Sequence, residues 1–166
     1  MGHSFLYRCT DRKSLKGRTF KPFTISAALE EGMTHDKDTF YCNGSLKVGD
    51  HTIRCHNTDG KIDLEHALAK SCNVSMMTIN AKLGAEKFTK YQSIFGFGQY
   101  TNIDLPGEAS AASLVYSPEN IGPTDLATNS FGQGFNCTMI QLASGFCSLI
   151  NGGNYYEPHV VKEIRN

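Results

Sequence analysis

Two stretches of this chain hold side chains able to do acid–base or nucleophilic chemistry. The first is Lys16-Gly17-Arg18-Thr19-Phe20-Lys21-Pro22-Phe23, and the second is Ser71-Cys72-Asn73. A lysine amine becomes a useful base when burial or nearby charge lowers its pKa, and a serine hydroxyl is a weak nucleophile until such a base takes its proton. An asparagine amide can only hold a partner in place by hydrogen bonds. Arg18 can do neither job, because a guanidinium stays protonated and offers no lone pair for attack. None of the serines has a lysine three residues on, so no serine–lysine pair is built within one helical turn. Lys21, Ser71 and Asn73 are the candidate site residues. Read in isolation, each also has a plainer role: Lys21 as a solvent-facing helix lysine, Ser71 and Asn73 as caps between two helices.

The elements that must position these residues can be read from apolar periodicity. From Thr19, the positions Phe20, Phe23, Thr24, Ala27 and Ala28 recur at helical spacing, with Pro22 in the first turn and Gly32 as a stop. Residues 39–57 form two short alternating segments interrupted by Gly49-Asp50, which predicts a surface hairpin or ribbon. After the turn Asn57-Thr58-Asp59-Gly60, a short helix over Leu64–Lys70 is interrupted by Ser71-Cys72-Asn73. Val74–Leu83 then resumes as a more apolar helix closed by Gly84. Ala85–Phe95 reads as a further amphipathic helix, Asn102–Ala112 as extended and turn-rich, and Pro123–Asn129 as a short helix. Thr138 can cap a helix over Met139–Ile150 that is apolar around nearly its whole circumference, which predicts the central buried helix. Tyr155–Ile164 begins an extended segment, and Met1–Lys16, polar and without period, reads as a lead-in that is disordered or foreign to the rest of the chain.

Composition sets bounds on this reading. A chain of 166 residues fits one domain, and a domain of that size buries roughly 70% of its unfolded surface. Sixteen basic and sixteen acidic residues balance to zero net charge, so no field gathers nucleic acid or anionic lipid. No run reaches the roughly 20 apolar residues of a membrane span, and the charged start does not read as a signal peptide. Six cysteines leave the redox compartment open. Cys42 and Cys55 lie on the two arms of the ribbon and are open to three readings: a disulfide, two free thiols, or, with His51 and His56, a zinc set whose spacing matches no regular finger. Cys72, Cys137 and Cys147 read as small buried side chains, and no metal or cofactor is expected.

Taken in order, these pieces resemble the transpeptidase domain of class B penicillin-binding proteins, especially the division and sporulation types. Thr19-Phe20-Lys21-Pro22-Phe23-Thr24 followed by Ala27-Ala28-Leu29-Glu30-Glu31-Gly32 is similar to that family's active-site helix, and Lys70-Ser71-Cys72-Asn73-Val74 to its S-x-N element. Phe95-Gly96-Phe97-Gly98, Thr101 through Glu108, Phe131-Gly132-Gln133-Gly134, Asn151-Gly152-Gly153 and Pro158 through Lys162 come in the family's order, with Asn102 where the family usually writes glycine.

The resemblance implies a fold that is mostly α: the helical middle portion of the α/β penicillin-binding-protein transpeptidase fold, with a small β-ribbon and most of the central sheet missing, over residues 17–166. It implies serine acyl transfer on the D-alanyl-D-alanine end of peptidoglycan stem peptides, or on β-lactams, in the extracytoplasmic cell envelope. In that scheme Lys21 is the base, Ser71 relays a proton and Asn73 holds substrate or the lysine. Arg18 stands where the nucleophilic serine belongs, and no K-[ST]-G motif occurs up to Asn166, so the chain is expected to be inactive by itself. The alternatives are a non-catalytic peptide-binding or scaffold module and a gene fragment. A helical portion parted from its sheet is also expected to self-associate through exposed apolar faces.

Overall fold

A computed structural model describes residues 13–163, with side chains from Arg18 onward. Among the described residues, six α-helices and four short strands succeed one another. They are α1 (Lys13–Glu30), β1 (Thr39–Cys42), β2 (Ser45–Val48), β3 (His51–Arg54), β4 (Gly60–Asp63), α2 (Leu64–Ala69), α3 (Asn73–Leu83), α4 (Ala85–Ile94), α5 (Pro123–Asn129) and α6 (Met139–Ile150). A 3-10 turn spans Ala112–Leu114. The chain is mostly α, and the only ladders among the described residues are two antiparallel pairs, β1 with β4 and β2 with β3.

The β2–β3 hairpin turns at Gly49-Asp50, where Gly49 takes φ +57°, a left-handed conformation that suits glycine. This hairpin is nested inside a second pair that the sequence did not announce. Thr39 pairs with Asp63 and Cys42 with Gly60, so β4 occupies residues read as the end of a turn. Asp63 then caps α2, its Oδ1 accepting from His66 N at 2.8 Å.

Helix α1 starts at Lys13 rather than Thr19, which overlaps the end of the segment read as a lead-in; residues 1–12 of that segment lie outside the described residues. The longer helix puts Pro22 in its interior and not in its first turn. A proline there has no N–H to close on the carbonyl four residues back, which is that of Arg18. Helix α1 is a wall shared by two hydrophobic clusters. Ile25 and Ala28 pack with Phe40, Ile62, Val74, Met76, Met77 and Ile79, while Phe20, Phe23 and Ala27 pack with Phe88, Phe97, Phe135 and Leu142. Phe20 and Phe135 approach edge to face with centroids 4.7 Å apart.

The central helices are α1 and α3, and α6 is not the buried centre that its composition predicted. Eight residues of α3 are buried. In α6 the buried residues are Gln141, Leu142, Ser144, Gly145 and Ser148, whereas Met139, Ala143, Cys147 and Ile150 are exposed. Its polar residues are inside because α6 lies close against its neighbours. A Cβ on Gly145 would meet the Phe95 carbonyl oxygen at 2.8 Å, and Gln141 Nε2 donates to the Gln99 carbonyl at 2.5 Å. Thr138 and Gln141 close a reciprocal capping box at the start of α6. No helix among the described residues is long and apolar enough to cross a membrane.

Candidate functional site

Helix α1 delivers Lys21 to the interior, and the link between α2 and α3 delivers Ser71. Lys21 is 2% exposed, so the solvent-facing reading of this lysine is wrong. Its Nζ donates to the Ser71 carbonyl oxygen at 2.6 Å and lies 2.5 Å from Ser71 Oγ. Ser71 is held at φ +58°, a left-handed conformation that a residue with a Cβ adopts at a cost of about 1 kcal/mol. That backbone turn ends α2 and lets Cys72 start α3, its sulfur accepting from Ser75 N at 3.4 Å. The cap of α3 is therefore Cys72, and Ser71 and Asn73 are set on either side of it.

Asn73 is buried at the first position of α3. Its Nδ2 donates to the Arg54 carbonyl at 3.3 Å and its backbone N–H to Cys55 Sγ at 3.2 Å. Both bonds tie the start of α3 to the ribbon. The three residues singled out in the sequence are thus brought together at one end of α3, with Lys21 and Ser71 in direct contact and Asn73 anchored to the ribbon beside them.

Burial pushes the Lys21 amine down to about 8, helped by the Arg18 cation and opposed by the Cys55 and Cys72 sulfurs. At that value the amine can release and recover a proton near neutral pH. When charged it donates to both Ser71 oxygens; when neutral it can accept the Ser71 hydroxyl proton. The pair can therefore move a proton. Arg18, one turn before Lys21, is exposed and offers five N–H donors but no attacking atom.

Cys42, Cys55 and Cys72 are free thiols, so Cys42 and Cys55 are not joined as a disulfide. Their sulfurs gather with Asp59 close behind Ser71. His51 and His56 are not in that group and are exposed, so the mixed cysteine–histidine set suggested by the sequence does not form. Cys147, read as buried, is exposed.

Further along, the segment Thr101–Glu108 is organised by its two acids, a signal the sequence did not reveal. Glu108 accepts from Thr101 N at 2.7 Å and from Asn102 N at 3.1 Å. Asp104 accepts from Val160 N and Val161 N, each at 2.7 Å, and Asn102 Nδ2 donates to Glu157 at 2.8 Å. Asn102 has φ +55°, in the left-handed region that glycine favours and that asparagine tolerates better than most side chains.

Residues 13–166 match the penicillin binding protein transpeptidase domain family. The chain is 40% identical over 151 residues to stage V sporulation protein D of Bacillus subtilis, covering 89% of this chain and 23% of that protein. It is 34% identical over 166 residues to a peptidoglycan D,D-transpeptidase FtsI homolog of Chlorokybus atmophyticus, covering 90% of this chain and 24% of that protein. The chain thus spans about a quarter of the length of these curated relatives. Among solved structures it superposes on PBP2 of Pseudomonas aeruginosa in complex with WCK 5153 with a TM-score of 0.81 and 30% identity, over 89% of this chain and 36% of that one. A transpeptidase domain of Burkholderia pseudomallei penicillin-binding protein 3 gives a TM-score of 0.82 at 23% identity, over 90% of this chain and 45% of that one. The latter is a likeness of fold.

Proposed function

This chain belongs to the penicillin-binding protein transpeptidase family, and from that premise we propose that Lys21, Ser71 and Asn73 are the retained cradle of a peptidoglycan D,D-transpeptidase site. The cradle engages the D-alanyl-D-alanine end of a stem peptide, or the β-lactam that mimics it, without forming an acyl-enzyme. One observation carries the reading: a buried lysine amine 2.5 Å from a serine hydroxyl, with a guanidinium and not a hydroxyl one turn earlier on α1.

In serine acyl transfer a hydroxyl attacks the carbonyl carbon, a base takes its proton, and the proton then passes to the departing amine. Lys21 and Ser71 can carry that proton. Position 18 cannot supply the oxygen, and loss of a nucleophile costs several orders of magnitude in rate. An exposed guanidinium suits instead the terminal carboxylate of such a peptide, through charge-assisted hydrogen bonds. Kinship to cell-wall enzymes supports the extracytoplasmic envelope as the site of action, and the exposed stripe Met139, Ala143, Cys147 and Ile150 on α6 supports self-association or cover by further protein surface.

Incubation with a fluorescent penicillin tests the reading. The expected result is saturable binding seen by anisotropy, displaced by a D-alanyl-D-alanine peptide, with no labelled band after denaturing electrophoresis. A covalent band on the native chain overturns the claim that acylation is lost, and peptide mapping would then identify the nucleophile. Absence of any saturable binding overturns the ligand assignment.

A further inference from the structure

Independently of what the Lys21 site binds, the cysteines beside it form a constellation of their own. The sulfurs of Cys42, Cys55 and Cys72 and a carboxylate oxygen of Asp59 all lie within 4.8 Å of one another. They come from four separate places: the end of β1, the residue after β3, the residue before β4, and the cap of α3. Folding therefore has to bring them together, and the nested pairing of β1 with β4 around the β2–β3 hairpin does so.

Their spacing has a chemical meaning. Cys55 Sγ and Cys72 Sγ are 3.8 Å apart, far beyond the roughly 2.05 Å of a disulfide. Two sulfurs each about 2.3 Å from a common centre at the tetrahedral angle stand about 3.8 Å from each other. Two buried thiols, Cys42 and Cys72, and a half-buried one, Cys55, could by themselves be ordinary small packing side chains. Asp59 does not fit that explanation. Its side chain is 8% exposed, Oδ1 is 3.4 Å from Lys70 Nζ, and Oδ2 is buried with no hydrogen-bond partner. A buried carboxylate oxygen left unpartnered is costly and calls for a cation.

Backbone N–H groups face two of the sulfurs. Asn73 N–H points at Cys55 Sγ at 3.2 Å and Ser75 N–H at Cys72 Sγ at 3.4 Å, so the first turn of α3 presents its free donors to two of the sulfurs. Cys42 donates its own proton weakly to the Asn57 carbonyl at 3.4 Å, a bond given up on deprotonation.

We propose that Cys42, Cys55, Asp59 and Cys72 bind one zinc ion in a closed tetrahedral site that staples the base of the ribbon to the start of α3. Three soft sulfurs and one oxygen select zinc over magnesium or calcium, which require oxygen ligands. Four protein ligands leave no open position, so the ion is structural. Binding displaces the thiol protons into solvent and forms three Zn–S bonds and one Zn–O bond, with no change of oxidation state. Because Cys72 lies between Ser71 and Asn73, the ion would also fix the backbone that presents both of them to Lys21. This differs from the metal-free expectation drawn from spacing alone.

The full chain, purified under reducing conditions, is expected to carry one equivalent of zinc. X-ray absorption is expected to show sulfur at about 2.3 Å and a lighter atom at about 2.0 Å. Cobalt in place of zinc is expected to give thiolate charge-transfer bands and the strong visible bands of a tetrahedral centre. Cys42→Ser, Cys72→Ser and Asp59→Asn are expected to lose the stoichiometric metal, while His51→Ala, His56→Ala and Cys147→Ser keep it. Should a ligand variant fail to fold, the absorption and cobalt spectra of the unaltered chain decide by themselves. A chain that takes up no zinc when it is supplied, an octahedral cobalt spectrum, or retention of full zinc by folded Cys42→Ser and Cys72→Ser overturns the proposal.

Discussion

Lys21 and Ser71, 50 residues apart in the chain, meet through a contact of 2.5 Å between Nζ and Oγ in a buried setting. The contact sets a buried amine against a hydroxyl, while the position one turn before Lys21 carries Arg18. Arg18→Ser is expected to raise covalent penicillin labelling above the wild-type background, and Lys21→Ala in the same background is expected to remove the gain. Labelled-band intensity over time is the measurement. Equal labelling with and without Lys21 would show that the contact has no catalytic inheritance.

Ser71 combines a strained backbone with a buried polar contact, and two substitutions separate them. Ser71→Ala keeps the left-handed strain and removes one hydrogen bond, for an expected loss of about 1 kcal/mol. Ser71→Gly removes the same bond but relieves the strain, by about 1 kcal/mol, and is expected to lie close to wild type. Urea denaturation of the two variants gives the difference directly.

Asp104 is held below its ordinary carboxylate pKa by the Val160 and Val161 N–H groups. A carboxyl depressed in the folded state contributes fully above its unfolded pKa, and the contribution is lost as pH falls through the folded value. The segment from residue 155 to 163 is therefore expected to loosen only below about pH 4. Hydrogen exchange of Val160 and Val161 reads this out. Asp104→Asn is expected to expose the same amides at neutral pH and to abolish their acid dependence.

Gly145 sits where α6 touches the Phe95 carbonyl oxygen and the Phe23 ring, at 2.8 and 3.2 Å from an added Cβ. Alanine should gain about 1 kcal/mol in helix propensity. Overpacking against a backbone atom costs about 1–3 kcal/mol, and the net expectation for Gly145→Ala is destabilisation, seen as a lower urea midpoint.

The exposed residues of α6 include Met139 at 48% and Ile150 at 73%. If they drive self-association, Met139→Lys with Ile150→Lys is expected to shift the sedimentation profile toward the monomer at equal concentration. An unchanged profile would place the contact elsewhere.

Much of this architecture could be read in the sequence where a local rule was strong. The Gly49-Asp50 turn, the α2–α3 break at Ser71-Cys72-Asn73 and the Thr138 cap all stem from turn and capping chemistry. The meeting of Lys21 with Ser71 came from the order of family motifs, since no local rule links residues 50 positions apart. Strand β4 escaped because Gly-Lys-Ile-Asp carries one apolar residue and pairs with a partner beyond an intervening hairpin. The orientation of α6 escaped because a helix apolar on all sides has no period to reveal which face is covered, and here close backbone approach at Gly145 decides it. The four-residue sulfur and carboxylate group escaped for a related reason: its members have no regular spacing and are gathered only by the nested ribbon.

The sharing of α1 between two hydrophobic clusters sets how the chain tolerates change. A loosening on the ribbon side, among Ile62, Val74 and Met77, reaches the phenylalanine side through α1 and through α3, whose Leu83 packs in the second cluster. Lys21 is borne on α1, against which both clusters pack, so a shift in either one can move its amine relative to Ser71.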